Sequence, residues 1–132
     1  MVRRIKVVNV AVIRDRSLLL VYKGRAWMLP GGKPENGESD EVCLQREVEE
    51  ELSGTKIDRC SLRYYGKFVG LTPHSKKKAG VEVYSANLDG KLGAPSREIT
   101  DWTWVGVENV GNYRLSDITS KIFKSFQIDG YL

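Results

Sequence analysis

Alternating apolar and polar stretches divide the first third of the chain into short extended segments. The run 5–13 is hydrophobic on both faces, which predicts a buried strand. A polar turn at 14–17 leads to a second predicted strand at 18–22, and a short extended piece follows at 26–29. The Pro-Gly-Gly sequence at 30–32 then interrupts the pattern, because proline and glycine favour turns.

The next segment has the periodicity of a helix. Apolar residues recur every four positions, which predicts one buried face on a helix from about 40 to 53. Ser39 or Asp40 is suited to cap the amino-terminal end of this helix. The predicted buried residues are Leu44, Val48 and Leu52.

The second half of the chain returns to strand patterns and ends in a helix. Strands are predicted at 58–70, 81–88 and 102–107. Residues 116–127 have helical periodicity and begin at a serine that can act as the cap. Strands and helices in this order predict an α/β fold with a mixed sheet between helices. Without a repeat or linker, residues 1–132 are expected to form a single domain.

Composition narrows the classes of function. The chain has 132 residues, 41% hydrophobic and 29% charged, as in ordinary soluble domains. No apolar run approaches the roughly 20 residues that span a bilayer, so no membrane partner is expected. Cys43 and Cys60 suggest neither a disulfide framework nor a metal knuckle, which favours a reduced, cytoplasmic protein. The net charge of +4 favours polyanionic ligands but is too small to argue for nucleic-acid binding.

Three carboxylates share one face of the first predicted helix. With about 100° of rotation per residue, Glu47, Glu50 and Glu51 fall within roughly 100° of one another. Like charges this close repel each other, so the face needs a compensating cation. Carboxylate oxygens are hard ligands that suit Mg²⁺ or Mn²⁺. The pattern therefore indicates metal-assisted chemistry on a phosphate substrate.

The stretch from Gly32 to Gly54 resembles the signature of the Nudix hydrolases. In that signature a glycine and a glutamate precede an Arg-Glu pair and then a Glu-Glu pair at fixed spacing. Ser53 and Gly54 depart from it, since the family has a glycine and then an aliphatic residue there. The matching residues are Gly32, Glu38, Arg46, Glu47, Val48, Glu50 and Glu51. The resemblance implies an α/β/α sandwich with a mixed central β-sheet.

The resemblance also implies the chemistry of the site. Glu47, Glu50 and Glu51 are expected to hold Mg²⁺, or Mn²⁺, together with the carbonyl of Gly31 or Gly32. Metal ions cancel the charge of a diphosphate and activate a water molecule for attack. Arg46 is expected to hold a carboxylate in position within the catalytic site. Glu38 is expected to fix the signature loop.

A further glutamate is expected to take part in catalysis. Glu98, in a loop before Trp104, lies where some family members carry a metal-binding or water-activating glutamate. Glu82, in a predicted strand, is the alternative. Because the general base differs among family members, the sequence leaves this choice open.

Residues near the signature are expected to contact the substrate. Arg25, Trp27 and Lys33 are the predicted substrate-binding residues. The alternatives are that the two cations are solvated and that Trp27 belongs to the core. Asn112 and Asp117, near the start of the second helix, could bind a nucleobase.

The substrate is expected to be a small-molecule nucleotide. The compact chain resembles mutator-type enzymes, which cleave nucleoside triphosphates, including oxidised ones, to a monophosphate and pyrophosphate. ADP-ribose, dinucleoside polyphosphates and capped RNA are alternatives, and Pro73 is a weak sign of the first. A basic loop tip at 76–78 could contact a polyphosphate or RNA, but a solvated hairpin end is the preferred interpretation. A non-catalytic nucleotide sensor and a homodimer also remain open.

Overall fold

The computed structural model describes residues 5–71 and 77–132. These residues form ten strands, two α-helices and two short 3-10 turns, at Arg59–Ser61 and Val110–Asn112. The helices are α1, Asp40–Glu51, and α2, Asp117–Ile128. The strands are β1 Ile5–Ala11, β2 Ile13–Arg14, β3 Ser17–Lys23, β4 Ala26–Met28, β5 Gly31–Gly32, β6 Thr55–Ile57, β7 Arg63–Leu71, β8 Lys78–Ser85, β9 Leu88–Gly90 and β10 Ile99–Val105.

A mixed sheet lies at the centre of the fold, as the sequence predicts. Its order is β5-β1-β8-β7, with β1 parallel to β8 and the other two pairs antiparallel. A second, antiparallel sheet has the order β10-β3-β2, with β4 beside β3. The strands β6 and β9 form a small third pair. The chain passes from the first sheet to the second between β1 and β2, which only Val12 separates.

The two helices cover opposite faces of the β1–β8 pair, and this explains why the run 5–13 is apolar on both faces. Val8 and Val10 pack with Leu44 and Val48 of α1. The opposite face packs against α2. The main buried residues on the α2 side are Ala11, Val81, Val83, Ile118, Ile122, Phe123 and Phe126. The α/β/α arrangement is thus confirmed.

Tertiary pairing moves several predicted boundaries. The strand expected from residue 58 begins at Arg63, because Arg59–Ser61 form a 3-10 turn capped by Asp58. The strand β8 begins at Lys78, where it pairs with Leu71. The helix α1 ends at Glu51 and not at 53, and the chain turns at Gly54 with a φ of 87°. Among the described residues, no helix is long and apolar enough to cross a membrane.

Candidate active site

A cavity of about 570 Å³ opens where α1, the Pro-Gly-Gly turn and the start of α2 meet the central sheet. One part of its wall is charged and the other is apolar. The charged part comprises Lys23, Lys33, Glu35, Arg46, Glu47, Glu50, Glu51, Arg97 and Glu98. The apolar part comprises Ile5, Val7, Met28, Leu29, Ala79, Val81 and Ile118. A ligand with an ionic end and a flat apolar end fits such a cavity.

Glu51 is buried in the charged part, with only 2% of its surface exposed. The backbone N–H of Gly31 donates to its Oε1 at 3.1 Å, and Lys23 Nζ lies 2.9 Å from its Oε2. Burial raises the pKa of Glu51, and the Lys23 and Gly31 contacts offset only part of this. Gly31 has a φ of 144°, and a Cβ there would lie 2.1 Å from the carbonyl oxygen of Val8. The contact with Glu51 therefore depends on glycine at this position.

Glu47 lies directly over the backbone of Gly32. A Cβ at Gly32 would approach the Glu47 carboxyl group to 2.6 Å. Burial raises the pKa of Glu47, against the lowering effect of Arg46. Gly31 thus brings its backbone N–H to Glu51, and Gly32 leaves room for the Glu47 carboxyl group.

Arg46 joins the signature loop to the carboxylate face of α1. Its Nε and Nη2 donate to the two oxygens of Glu38 at 2.7 and 2.8 Å. Its Nη1 donates to Glu47 at 2.9 Å and to Glu50 at 3.4 Å. The hydrogen bonds from Arg46 lower the pKa of Glu38 to about 2. The loop itself is closed by the N–H of Glu35, which donates to Glu38 at 2.7 Å.

Lys23 is a cation of the site that the sequence analysis missed. It lies 2.9 Å from Glu51 and 3.4 Å from Glu98, so it links α1 to the loop before β10. Burial lowers the pKa of Lys23, but the two glutamates outweigh this effect and the net pKa is raised. Lys23 directly follows the strand predicted at 18–22, whereas in the structure it is the last residue of β3. The Glu98 side chain is 77% exposed at the cavity wall.

Arg97 is a second cation that the sequence analysis missed. Its Nη2 lies 3.1 Å from Glu50 Oε1, and its φ of 61° is unusual for a residue other than glycine. Neither feature leaves a local sequence signal, because both depend on the path of the loop across α1. Asn9 was also missed: its side chain is buried and lines the cavity beside Gly31.

The carboxylates suit a divalent cation in their donor chemistry. Glu51 is buried and Glu47 is partly buried, so burial disfavours the charged forms of both carboxyl groups, and a hard cation beside them would offset that cost. Within residues 5–71 and 77–132, no three acidic, histidine or cysteine side chains already converge as a metal cluster. The three signature glutamates instead contact Arg46, Lys23 and Arg97.

Two of the three predicted substrate-binding residues lie away from the cavity wall. Trp27 packs between the rings of Tyr22 and Tyr113, with centroids at 5.2 and 5.3 Å, so its contacts are those of a core residue. Arg25 is exposed at the β3–β4 turn, whereas Lys33 does line the cavity. The cavity wall includes neither Arg25 nor Trp27 among the described residues.

Glu82 lies on the face of the central sheet opposite the cavity. This corrects the expectation that it could face the site beside α1. Its Oε2 accepts from the Tyr64 hydroxyl at 2.5 Å, and Lys67 lies 4.0 Å away. Val81, its neighbour on β8, is the residue that faces the cavity. Of the two candidates for general base, the structure brings only Glu98 to the site.

The predicted base-binding residues are also displaced from the cavity. Asp117 points to Lys121, 3.5 Å away, and Asn112 belongs to an exposed 3-10 turn. Ser116 and Thr119 line the cavity from the same helix start. Pro73 and residue 76 of the basic loop tip lie outside the described residues, and Lys77 and Lys78 are exposed.

The chain is similar to proteins of known structure over most of its length. A family model described as NUDIX domain matches residues 3–126. A MutT NUDIX hydrolase from Burkholderia pseudomallei has a similar structure, with 22% identity over 92% of this chain and 97% of that one and a TM-score of 0.78. A MutT protein from Methanosarcina mazei Go1 is 23% identical over 97% of this chain and 96% of that one, with a TM-score of 0.75.

A further similar structure is that of a UDP-X diphosphatase. It is 23% identical over all of this chain and 66% of that one, with a TM-score of 0.76. A comparison with curated proteins gives no significant match. At these identities the structures establish a shared fold.

Proposed function

Because the chain belongs to the NUDIX domain family, we propose that it hydrolyses nucleoside triphosphates, including oxidised ones, to a nucleoside monophosphate and pyrophosphate with the help of Mg²⁺ or Mn²⁺. The observation that carries the proposal is the meeting of the signature carboxylates with an apolar wall in one cavity of about 570 Å³. A nucleotide has both matching parts, a phosphate chain and a flat base.

The metal-binding residues in this proposal are Glu47, Glu50 and Glu51, with the carbonyl of Gly31 or Gly32. A bound divalent cation supplies charge neutralisation of the phosphates and makes a bound water more acidic. Arg46 keeps Glu38 and Glu47 in fixed orientations through a planar fork of donors, at 2.7 and 2.9 Å.

Glu98 is the proposed proton acceptor. Its carboxylate is exposed at the cavity wall and lies 3.4 Å from Lys23. Lys23 also contacts Glu51, and so keeps Glu98 near α1. In the proposed step, water attacks a phosphorus atom of the phosphate chain and its proton passes to Glu98. The phosphoanhydride bond at that phosphorus breaks, and the phosphate group on the other side of the bond leaves with the bonding electron pair.

The apolar wall is proposed to receive the nucleoside. Ile5, Val7 and Val81 present aliphatic surface on which a base can pack. Asn9 adds one amide, with a donor and an acceptor, to this otherwise apolar wall. This combination favours a nucleotide over inorganic polyphosphate as the substrate.

A second candidate is a nucleoside diphosphate linked to another group. The fold it shares with a UDP-X diphosphatase favours including this class, and the chain covers 66% of that protein. The same carboxylates would act on either class, since both contain a phosphoanhydride bond. Substrate identity therefore has to be measured.

The test is a screen of purified protein with Mg²⁺ or Mn²⁺, with products resolved by mass. Substrates would include canonical and oxidised nucleoside triphosphates, UDP-sugars, ADP-ribose, dinucleoside polyphosphates and capped RNA. Reactions in ¹⁸O-labelled water would show which product carries the new oxygen and hence which phosphorus is attacked.

Monophosphate and pyrophosphate from a triphosphate are the expected products. Turnover of a UDP-sugar, ADP-ribose or capped RNA alone would replace the substrate and retain the chemistry. Nucleotide binding without turnover of any compound would contradict the proposal and favour a sensor.

A further inference from the structure

The cations of the cavity differ in how many of their donors are already in use. Arg46 donates to Glu38, Glu47 and the carbonyl of Lys33. Lys23 is shared between two glutamates. Arg46 and Lys23 are therefore committed to holding protein groups, and the other cations of the cavity wall are the exposed Lys33 and Arg97.

Arg97 has one ionic contact and otherwise free donors. Its Nη2 lies 3.1 Å from Glu50, and among residues 5–71 and 77–132 its guanidinium makes no other hydrogen bond or ion pair. A guanidinium carries five N–H donors, so most of them remain available. The side chain is 63% exposed and lines the cavity beside the signature carboxylates.

Hydrogen bonds join the backbone around Arg97 to the end of α1. The N–H of Ser96 donates to the carbonyl of Glu51 at 3.2 Å, and its hydroxyl donates to the carbonyl of Glu50. Earlier in the loop, the N–H of Gly93 donates to the carbonyl of Ser53 at 3.1 Å. These bonds use carbonyls that the end of α1 leaves without helical partners.

Arg97 adopts a φ of 61°, in the left-handed region that favours glycine. A side chain in this region is disfavoured by the close approach of its Cβ to the backbone, and such residues concentrate at functional sites. The loop therefore keeps a strained arginine where glycine would be easier to accommodate. The Arg97 guanidinium lies at the cavity wall beside Glu50.

We propose that Arg97 is a substrate-binding residue that donates hydrogen bonds to the phosphate chain beside Glu50. Its planar fork of donors matches two phosphate oxygens, and the contact with Glu50 keeps one edge of the fork at the metal helix. The proposal rests on the proposed function, because it assigns this arginine to the same anionic substrate. It applies equally to a triphosphate and to a sugar-linked diphosphate.

The test compares wild type with Arg97→Gly, which removes the side chain and also relieves the φ of 61°. Steady-state kinetics on the substrate found in the screen would be combined with calorimetric binding of inorganic pyrophosphate in Mg²⁺ buffer. We expect KM and the pyrophosphate dissociation constant to rise roughly 10- to 100-fold, the range for losing a charge-assisted hydrogen bond.

Two further variants test whether the effect depends on the guanidinium of Arg97 or only on positive charge. Arg97→Lys keeps the charge without the fork, so we expect an intermediate loss of pyrophosphate affinity. Lys91→Ala removes an exposed cation from the same loop that lies outside the cavity wall, and it should leave pyrophosphate binding unchanged. The control thus separates a specific contact from a general loss of positive charge.

The outcomes distinguish this inference from the proposed function. A fall in kcat with unchanged pyrophosphate affinity would overturn the inference and make Arg97 a positioning residue for Glu50. Equal losses in Arg97→Gly and Lys91→Ala would also overturn it. A wild-type protein that binds pyrophosphate but turns over no substrate would instead contradict the proposed function, and the binding comparison would still test Arg97.

Discussion

At the scale of single residues, the site depends on which positions lack a side chain. Gly31 and Gly32 bring backbone within reach of two signature glutamates, and a Cβ at either position would collide with its surroundings. The glycines thus act on the same carboxylates that are proposed to hold the metal.

Gly32→Ala is expected to reduce activity far more than stability. The new Cβ would meet the Glu47 carboxyl group at 2.6 Å and push it away. We expect kcat/KM to fall about 100-fold, because small misplacements of reacting groups are costly. Unfolding by urea should show a loss of about 1–3 kcal/mol. Gly111→Ala is the control, since nothing lies within 4 Å of a Cβ there. Equal activity in both variants would contradict the assigned role of Glu47.

Glu50→Gln is expected to remove most turnover, on the order of 10²–10⁴-fold, because an amide is a poorer ligand for Mg²⁺ and cannot accept a proton. The measurement is steady-state kinetics together with calorimetric Mn²⁺ binding. Glu49→Gln, an equal change at an exposed position on the same helix, should retain activity. Near wild-type activity and Mn²⁺ affinity in Glu50→Gln would exclude Glu50 as a ligand.

At the scale of elements, a polar contact fixes the amino-terminal end of α1 to the central sheet. Asp40 lies 2.8 Å from Lys6 of β1 and accepts from the Tyr84 hydroxyl of β8 at 2.8 Å. Burial raises the pKa of Asp40, but the contacts with Lys6 and Tyr84 outweigh it and the net pKa is lowered. The other end of α1 carries the proposed metal-binding carboxylates, so this contact helps to position them relative to the central sheet.

Asp40 is expected to make stability depend on pH in the acidic range. Since its pKa is lower in the folded state than the ordinary 3.8, its contribution is present above that value and is lost as pH falls through the folded pKa. Urea unfolding should therefore show a larger difference between wild type and Asp40→Asn at pH 7 than at pH 3. The exposed Asp89→Asn is the control. A difference of equal size at both pH values would contradict the prediction.

At the scale of the whole molecule, two packed layers on opposite faces of the central sheet hold the two sides of the cavity. The α1 layer carries the carboxylates, and the start of α2 supplies Ser116, Ile118 and Thr119 to the opposite wall. Phe126, 1% exposed, anchors α2 by stacking on Tyr65 with centroids 3.9 Å apart. The distance between the two walls therefore depends on core packing far from the chemistry.

Phe126→Ala is expected to lower the free energy of unfolding by about 3–5 kcal/mol, the range for emptying a buried aromatic site. Urea unfolding monitored by tryptophan fluorescence would measure it. Ile128→Ala, at a side chain that is 83% exposed on the same helix, should change stability by about 0.5 kcal/mol or less. A loss of similar size in the two variants would show that α2 is not anchored through Phe126.

The sequence by itself determined the features whose physical cause is local. The signature spacing placed three glutamates on one helical face because the helix has a fixed period. The Ser39 and Ser116 caps and the buried stripes of both helices were predictable for the same reason. The apolar run 5–13 likewise predicted a strand covered on both faces. Helix and strand types were therefore correct where a pattern repeats along the chain.

Only the tertiary structure decided which residues meet across elements. Arg97 reaches Glu50 because its loop crosses the end of α1, and Lys23 reaches Glu51 because β3 ends beside that helix. Trp27 was expected at the substrate but lies in an aromatic cluster, and Glu82 was expected as an alternative base but points to the other face of the sheet. Such contacts depend on strand pairing and loop path, which hydrophobic periodicity does not encode, because it records only whether a position faces the core.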